Sequence, residues 1–145
     1  MKKEVLVAEN VRLNVTVSNK EEAIRLAGEL LVKNGYVNKS YIDSMMEREK
    51  LTTTYMGNFI AIPHGTNDSK KEVLESGISI LQIPEGVDFG GGNVAKVVFG
   101  IAGVGDGHLE ILSQIAILCS EVENVEKIIA AKSYEEIIQL FKGVA

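Results

Sequence analysis

VAKVVFGIAGVGDGHLEIL, residues 94–112, changes its period part-way along, and that change sets the fold class. Residues 94–102 are rich in Val and Ile with one Phe and end at glycine, the composition of a buried strand. From His108 onward the apolar residues Ile111, Leu112, Ile115, Leu118 and Cys119 recur at helical spacing. Gly103, Gly105 and Gly107 fill the turn between the two periods. A strand that feeds a helix through a glycine loop is the unit from which α/β sheets are built.

Upstream, Gly77 to Ile83 and Asn58 to Pro63 read as two further short strands, each punctuated by a proline. Asn10 to Val17 alternates, with Val11, Leu13, Val15 and Val17 expected on one face of a half-buried strand. Ser18 is expected to cap the next helix, with Glu21 as its capping-box partner. Ala23, Ile24, Ala27, Leu30 and Leu31 continue that helix to Gly35, which is placed to stop it. A second helix is expected from Ser40 to Glu49. Downstream, the sequence predicts helices over His108 to Cys119, Val122 to Ala131 and Ser133 to Phe141, the last with Ser133 and Glu136 as a capping box. The expected fold is α/β: a single three-layer domain over residues 1–145, with a small mixed β-sheet flanked by α-helices.

The chain has 145 residues with 15 Lys+Arg against 20 Asp+Glu, a net charge of −5. That length suits one domain. The acidic balance and scattered basic residues speak against nucleic-acid binding, which needs clustered Lys and Arg. MKKEVLVAEN begins with two lysines, but its apolar stretch stops at Glu9, so no export signal is expected. No apolar run approaches the ~18 residues of a membrane span, so the chain is expected to be cytoplasmic without direct membrane insertion. The single Cys119 falls in an apolar helical pattern and reads as a core thiol. The Asn-x-Ser/Thr triplets at Asn14, Asn38 and Asn67 carry no meaning without export.

Phosphate-loop, dinucleotide, zinc-protease and nucleophile-elbow signatures are all missing from the sequence; His108 stands where the third glycine of G-x-G-x-x-G would be. Two histidines and one core cysteine make a poor zinc ligand set. Neither a metal nor a cofactor is expected. What remains is the placement of the histidines directly after predicted strands, where α/β sheets present functional loops. In IAIPHGT, Pro63 fixes the backbone before His64 and Gly65 leaves space after it, so the imidazole can be a rigid, approachable nucleophile or simply a turn residue bonded to backbone. His108 lies in the first turn of a helix, where free N–H groups and the helix dipole favour a phosphate. A neutral ring there can donate one hydrogen bond and accept another. Arg48, in EREK, is either a solvated helix end or a guanidinium offering paired hydrogen bonds to phosphate oxygens. Two histidines and an arginine together suggest phosphoryl transfer.

REKLTTTYMGNFIAIPHGT (48–66) and LQIPEGVDFG (81–90) strongly resemble the EIIA domains of the bacterial phosphoenolpyruvate-dependent sugar phosphotransferase system, above all its mannitol-specific branch. The similarity extends through KEEAIRLAGELLVKNGYV (20–37) and GHLEIL (107–112). The resemblance implies that His64 is the phosphorylated nucleophile, taking its phosphoryl group from phospho-HPr and passing it to a cysteine of the EIIB domain of the mannitol permease through Nε2. It implies that His108 stabilises the phosphoryl group and that Arg48 neutralises its charge. Cys119 is not the EIIB acceptor. Ile62, Val104 and Leu109 are candidates for an apolar rim that docks the partners. The alternative within the wider family is a nitrogen-type regulatory EIIA that acts by phosphorylation-dependent protein binding.

Overall fold

The chain runs β1 (Val11–Arg12), α1 (Lys20–Lys33), α2 (Tyr41–Leu51), β2 (Tyr55–Gly57), β3 (Ile60–Ala61), β4 (Gly77–Asp88), β5 (Val94–Ala102), α3 (Gly107–Cys119), α4 (Val122–Ala130) and α5 (Tyr134–Lys142), in a computed structural model that describes residues 4–142. The five strands form one sheet in the order β1-β4-β5-β3-β2. β4 and β5 pair antiparallel along most of their length and form its centre. β1 joins β4 parallel and β3 joins β5 parallel, while β2 closes the edge antiparallel to β3. The sheet is therefore mixed, as its short connections and crossovers require.

Side-chain alternation sorts the strands between two cores. Leu81, Ile83, Val98 and Ala102 face α1 and α2, against Ala23, Ile24, Ala27 and Leu31. Ile78, Ile80, Val97, Phe99 and Ile101 face α3, α4 and α5, against Ile111, Ile115, Leu118 and Ile128. This is the helix–sheet–helix layering that the sequence pattern calls for. Cys119 lies in the second core, and burial pushes its thiol up to about 12, as suits a packing residue.

Several local expectations are corrected. Only Val11–Arg12 is strand, because Asn14 takes a left-handed φ of 54° and turns the chain. Val11 and Leu13 then pack on the α3–α5 side, and Val15 and Val17 on the α1–α2 side, so the four do not share one face. Asn19, not Ser18, caps α1: its side chain accepts from Glu22 N–H at 2.9 Å. Gly35 does end that helix, with φ 84° at the position where a left-handed residue stops the ladder. In the predicted strand Asn58 to Pro63, Asn58 and Phe59 instead form a two-residue hairpin turn with φ 50° and 67°, and the unexpected β2 is the other arm. β4 continues past Pro84 to Asp88, since a register shift between Gln82 and Val87 removes the need for a donor at the proline. At α5, Glu136 N–H donates to Ser133 Oγ at 3.4 Å, but the Glu136 carboxylate accepts from Lys132 N–H rather than closing the box on Ser133.

Gln82 holds the turn at Asn14 to the rest of the fold. Fully buried, its Nε2 donates to the Ile128 and Ala131 carbonyls at 2.9 and 2.8 Å, and its Oε1 accepts from Asn14 N–H at 3.0 Å. Gln82→Leu keeps the volume but removes all three bonds, leaving the Ile128 carbonyl with only the Ala131 N–H at 3.3 Å. Denaturant unfolding of that variant is expected to show a loss of about 3 kcal/mol, with an unchanged value indicating that water replaces the amide.

Candidate functional site

Because β3 and β5 run parallel, their C-terminal ends emerge side by side at the same edge of the sheet, where α/β folds place their ligands. β3 delivers Pro63 and His64; β5 delivers Gly103 and the loop to His108. The two exits are tied together: Ile101 N–H donates to the Pro63 carbonyl at 3.0 Å. Tyr41, at the start of α2, adds a second tie. Its hydroxyl donates to the Ile101 carbonyl at 2.7 Å and accepts from Gly65 N–H at 2.8 Å. Burial pushes this phenol up to about 12, so it stays a donor across the neutral range.

His64 Nδ1 lies 2.8 Å from the Ile62 carbonyl. A carbonyl can only accept, so in the neutral ring Nδ1 carries the proton and Nε2 carries the free lone pair. His64 titrates below its ordinary 6.5, first because burial penalises the charged ring and then because the charges of Arg48 and His108 oppose protonation. The Ile62 hydrogen bond and the Glu49 carboxylate act in the other direction and do not outweigh them.

His108 stands in the first turn of α3, its ring stacked towards that of His64 with centroids 6.5 Å apart and planes at 27°. This approach depends on Gly103: a Cβ built there would sit 2.0 Å from His108 N and 2.5 Å from its Cα. Asp106 precedes the helix but makes no side-chain cap; it faces Lys70 at 3.5 Å instead. His64, His108, Tyr41, Thr66, Ser69 and Lys70 line a single pocket, with the Lys70 segment belonging to a 3-10 helix over Asn67–Glu72.

Arg48 occupies the last turn of α2, and its Nη1 donates to the Thr52 carbonyl at 2.6 Å. Its neighbour Glu49 is 5% exposed. Glu49 Oε1 accepts from Thr54 N–H at 2.9 Å and from Thr54 Oγ1 at 2.6 Å, and Oε2 pairs with Lys20 Nζ at 3.5 Å. Among the described residues no group of three or more His, Cys, Asp or Glu is arranged to hold a metal ion.

Residues 4–144 match the family described as phosphoenolpyruvate-dependent sugar phosphotransferase system, EIIA 2. The chain belongs to that family. This EIIA is 63% identical over 141 residues to the mannitol-specific phosphotransferase enzyme IIA component of Bacillus subtilis (strain 168), covering 97% of this chain and 99% of the relative. It is 64% identical over 140 residues to the component of the same name from Geobacillus stearothermophilus, covering 97% of each. Its fold superimposes with a TM-score of 0.89 on a chain in the complex of enzyme IIAMTL with phosphorylated enzyme IIBMTL from Escherichia coli, at 39% identity and covering 95% of this chain and 97% of that one.

His64 and His108 line one pocket of the EIIA fold, and Arg48 lies near enough for its charge to act on His64. Of the expected rim, Val104 and Leu109 are 52% and 56% exposed, and Ile62 is half-buried. Tyr41, Glu49 and Lys70 were not legible as site residues. Tyr41 and Glu49 look like core and helix-end positions in sequence, and only the fold brings their polar ends to the strand exits.

Two outcomes follow from this geometry. NMR titration of His64 is expected to give a midpoint below 6.5, moving up towards 6.5 in Arg48→Ala. The unfolded ring gains its proton near 6.5 and the folded ring only at lower pH, so folding stability falls as the pH drops through that window; a midpoint at or above 6.5 would contradict the assignment. Gly103→Ala must displace backbone at the start of α3, so its His108 signals and its phosphoryl-transfer rate are expected to change together, and unchanged His108 signals would contradict a turn that needs glycine at 103.

Proposed function

We propose that this chain is the cytoplasmic IIA phosphocarrier of a mannitol phosphotransferase system. It takes a phosphoryl group from phospho-HPr onto His64 and gives it to a cysteine of the EIIB domain of the mannitol permease. The observation that carries the proposal is the hydrogen bond from His64 Nδ1 to the Ile62 carbonyl, which leaves Nε2 as the nucleophile. The mannitol-specific names of the bacilli relatives and the IIA–phospho-IIB complex of Escherichia coli support the sugar branch and the acceptor. No helix among the described residues is long and apolar enough to cross a membrane, which fits a carrier that meets its permease at the cytoplasmic side.

In the first transfer the Nε2 lone pair of neutral His64 attacks phosphorus as the N–P bond to the HPr histidine breaks. In the second, a cysteine thiolate attacks and the N–P bond to His64 breaks. Both pass through a loose transition state whose three equatorial oxygens carry the charge. His108, at the N-terminus of α3, offers a hydrogen bond to one oxygen, and Arg48 neutralises charge from the end of α2. Because His64 titrates below its ordinary value, the attacking neutral form dominates at pH 7. The exposed Val104 and Leu109, with Ile62 beside the pocket, form the apolar rim on which HPr and EIIB dock in turn.

Incubation with phosphoenolpyruvate, enzyme I and HPr is expected to leave an acid-labile phosphate on the wild type and none on His64→Gln. His108→Ala and Arg48→Ala are expected to remain folded and to transfer on the order of a hundredfold more slowly. Label persisting in His64→Gln would exclude the nucleophile, and wild-type rates in both other variants would exclude the stabilising roles. Offered EIIB domains from several sugar branches, the phosphoprotein is expected to discharge fastest to the mannitol one.

A further inference from the structure

Glu49 is a charged side chain sealed into the protein beside a site that has to receive an anion. Burying a carboxylate costs free energy unless it is paired and hydrogen-bonded, and this one is both, through Thr54 N–H, Thr54 Oγ1 and Lys20 Nζ. Its charge repels a phosphoryl group, so attraction of the phosphate is not its use. Its partners indicate another.

Thr54, gripped by Glu49 on its N–H and hydroxyl, offers its own carbonyl to Ile62 N–H at 3.0 Å. The carbonyl of the same Ile62 accepts from His64 Nδ1 at 2.8 Å. On the other side, Thr52 N–H donates to the Arg48 carbonyl at 3.4 Å while Arg48 Nη1 donates to the Thr52 carbonyl. The segment Thr52–Thr54 therefore lies between the two groups that handle the phosphoryl, and Glu49 is the side chain that fastens it.

We propose that Glu49 is a positioning residue for phosphoryl transfer: by clamping Thr54 it fixes the Ile62 carbonyl that orients His64 and the loop onto which Arg48 is braced. The role in transfer rests on the phosphocarrier reading given above; the orientation of His64 does not. An acceptor at Oε1 is what the clamp requires, and the negative charge strengthens the bonds without being essential to their direction.

The test compares Glu49→Ala, which removes the acceptor, with Glu49→Gln, which keeps an amide oxygen in its place. For each, transfer from phospho-HPr is measured as a maximal rate and a KM, and the 15N signals of His64 in the unphosphorylated full chain at pH 8 report which ring nitrogen carries the proton. Glu49→Ala is expected to lower the maximal rate about tenfold or more, the scale of a small misplacement of reacting groups, with the donor KM little changed. Its His64 signals are expected to move from the Nδ1–H pattern towards a mixture of tautomers. Glu49→Gln is expected to restore the wild-type pattern and most of the rate. Should Glu49→Ala fail to fold, Thr54→Val, which deletes the hydroxyl bond alone, is expected to slow transfer roughly threefold and to shift the same signals.

Wild-type rate and tautomer in Glu49→Ala, or in Thr54→Val where the first does not fold, would overturn the proposal. So would a Glu49→Gln protein as slow as Glu49→Ala, since charge rather than position would then be at work. A wild type that takes no phosphoryl group would instead defeat the phosphocarrier reading, leaving the 15N comparison to decide whether Glu49 orients His64.

Discussion

The 2.8 Å hydrogen bond from His64 Nδ1 to the Ile62 carbonyl is the constraint on which the site depends. A neutral imidazole has one N–H and one lone pair, and a carbonyl partner assigns the N–H to Nδ1. Pro63 lies between the two residues and holds φ near −65°, which removes one of the backbone rotations that could separate carbonyl and ring. One short local bond thus selects the tautomer and leaves the lone pair on Nε2. A ring free to flip would divide its population between useful and useless orientations.

A local bond holds only if its surroundings are rigid, and the sheet topology supplies this. The parallel pairing of β3 with β5 brings the Pro63 carbonyl against Ile101 N–H, and Tyr41 spans from Ile101 to Gly65 across the same gap. Thr54 fastens Ile62 from the opposite side. With β3 only Ile60–Ala61 long, almost all of the positioning comes from these cross-ties rather than from the ladder itself. The same close parallel exit sets His108 near His64 once Gly103 permits the turn. Burial and the neighbouring Arg48 charge then lower the His64 titration and favour its neutral ring.

Much of this is legible in the sequence. The period change between Val94 and Leu112 announced a strand–loop–helix unit, and the helices from His108 onward fall within a residue or two of their expected limits. Gly35 ends α1 as a left-handed stop residue should. The failures have local causes. Alternation in Val11 to Val17 is real as a pattern of half-burial, but Asn14 turns the chain and divides those residues between two cores, which hydropathy cannot reveal. Pro84 looks like a strand end because the pattern cannot show that β4 has a register shift there. β2 has just three residues, too few for period 2 to stand out. Of the site, His64, His108 and Arg48 could be singled out because their residue types are rare in the chain or suited to phosphate. Tyr41 and Glu49 could not, since their meaning lies in contacts made across the fold.

The division of labour follows from this arrangement. In the proposed mechanism, backbone carbonyls and cross-ties orient the nucleophile, whereas Arg48 and the N-terminus of α3 meet the charge that arrives with the phosphoryl group. Phosphorylating the 15N-labelled protein with phosphoenolpyruvate, enzyme I and HPr, and reading phosphorus–nitrogen coupling by NMR, tests the first half directly. Coupling to Nε2 of His64, with Nδ1 still protonated, is the expected result. Coupling to Nδ1 of His64, or to either nitrogen of His108, would contradict a site organised by the Ile62 carbonyl.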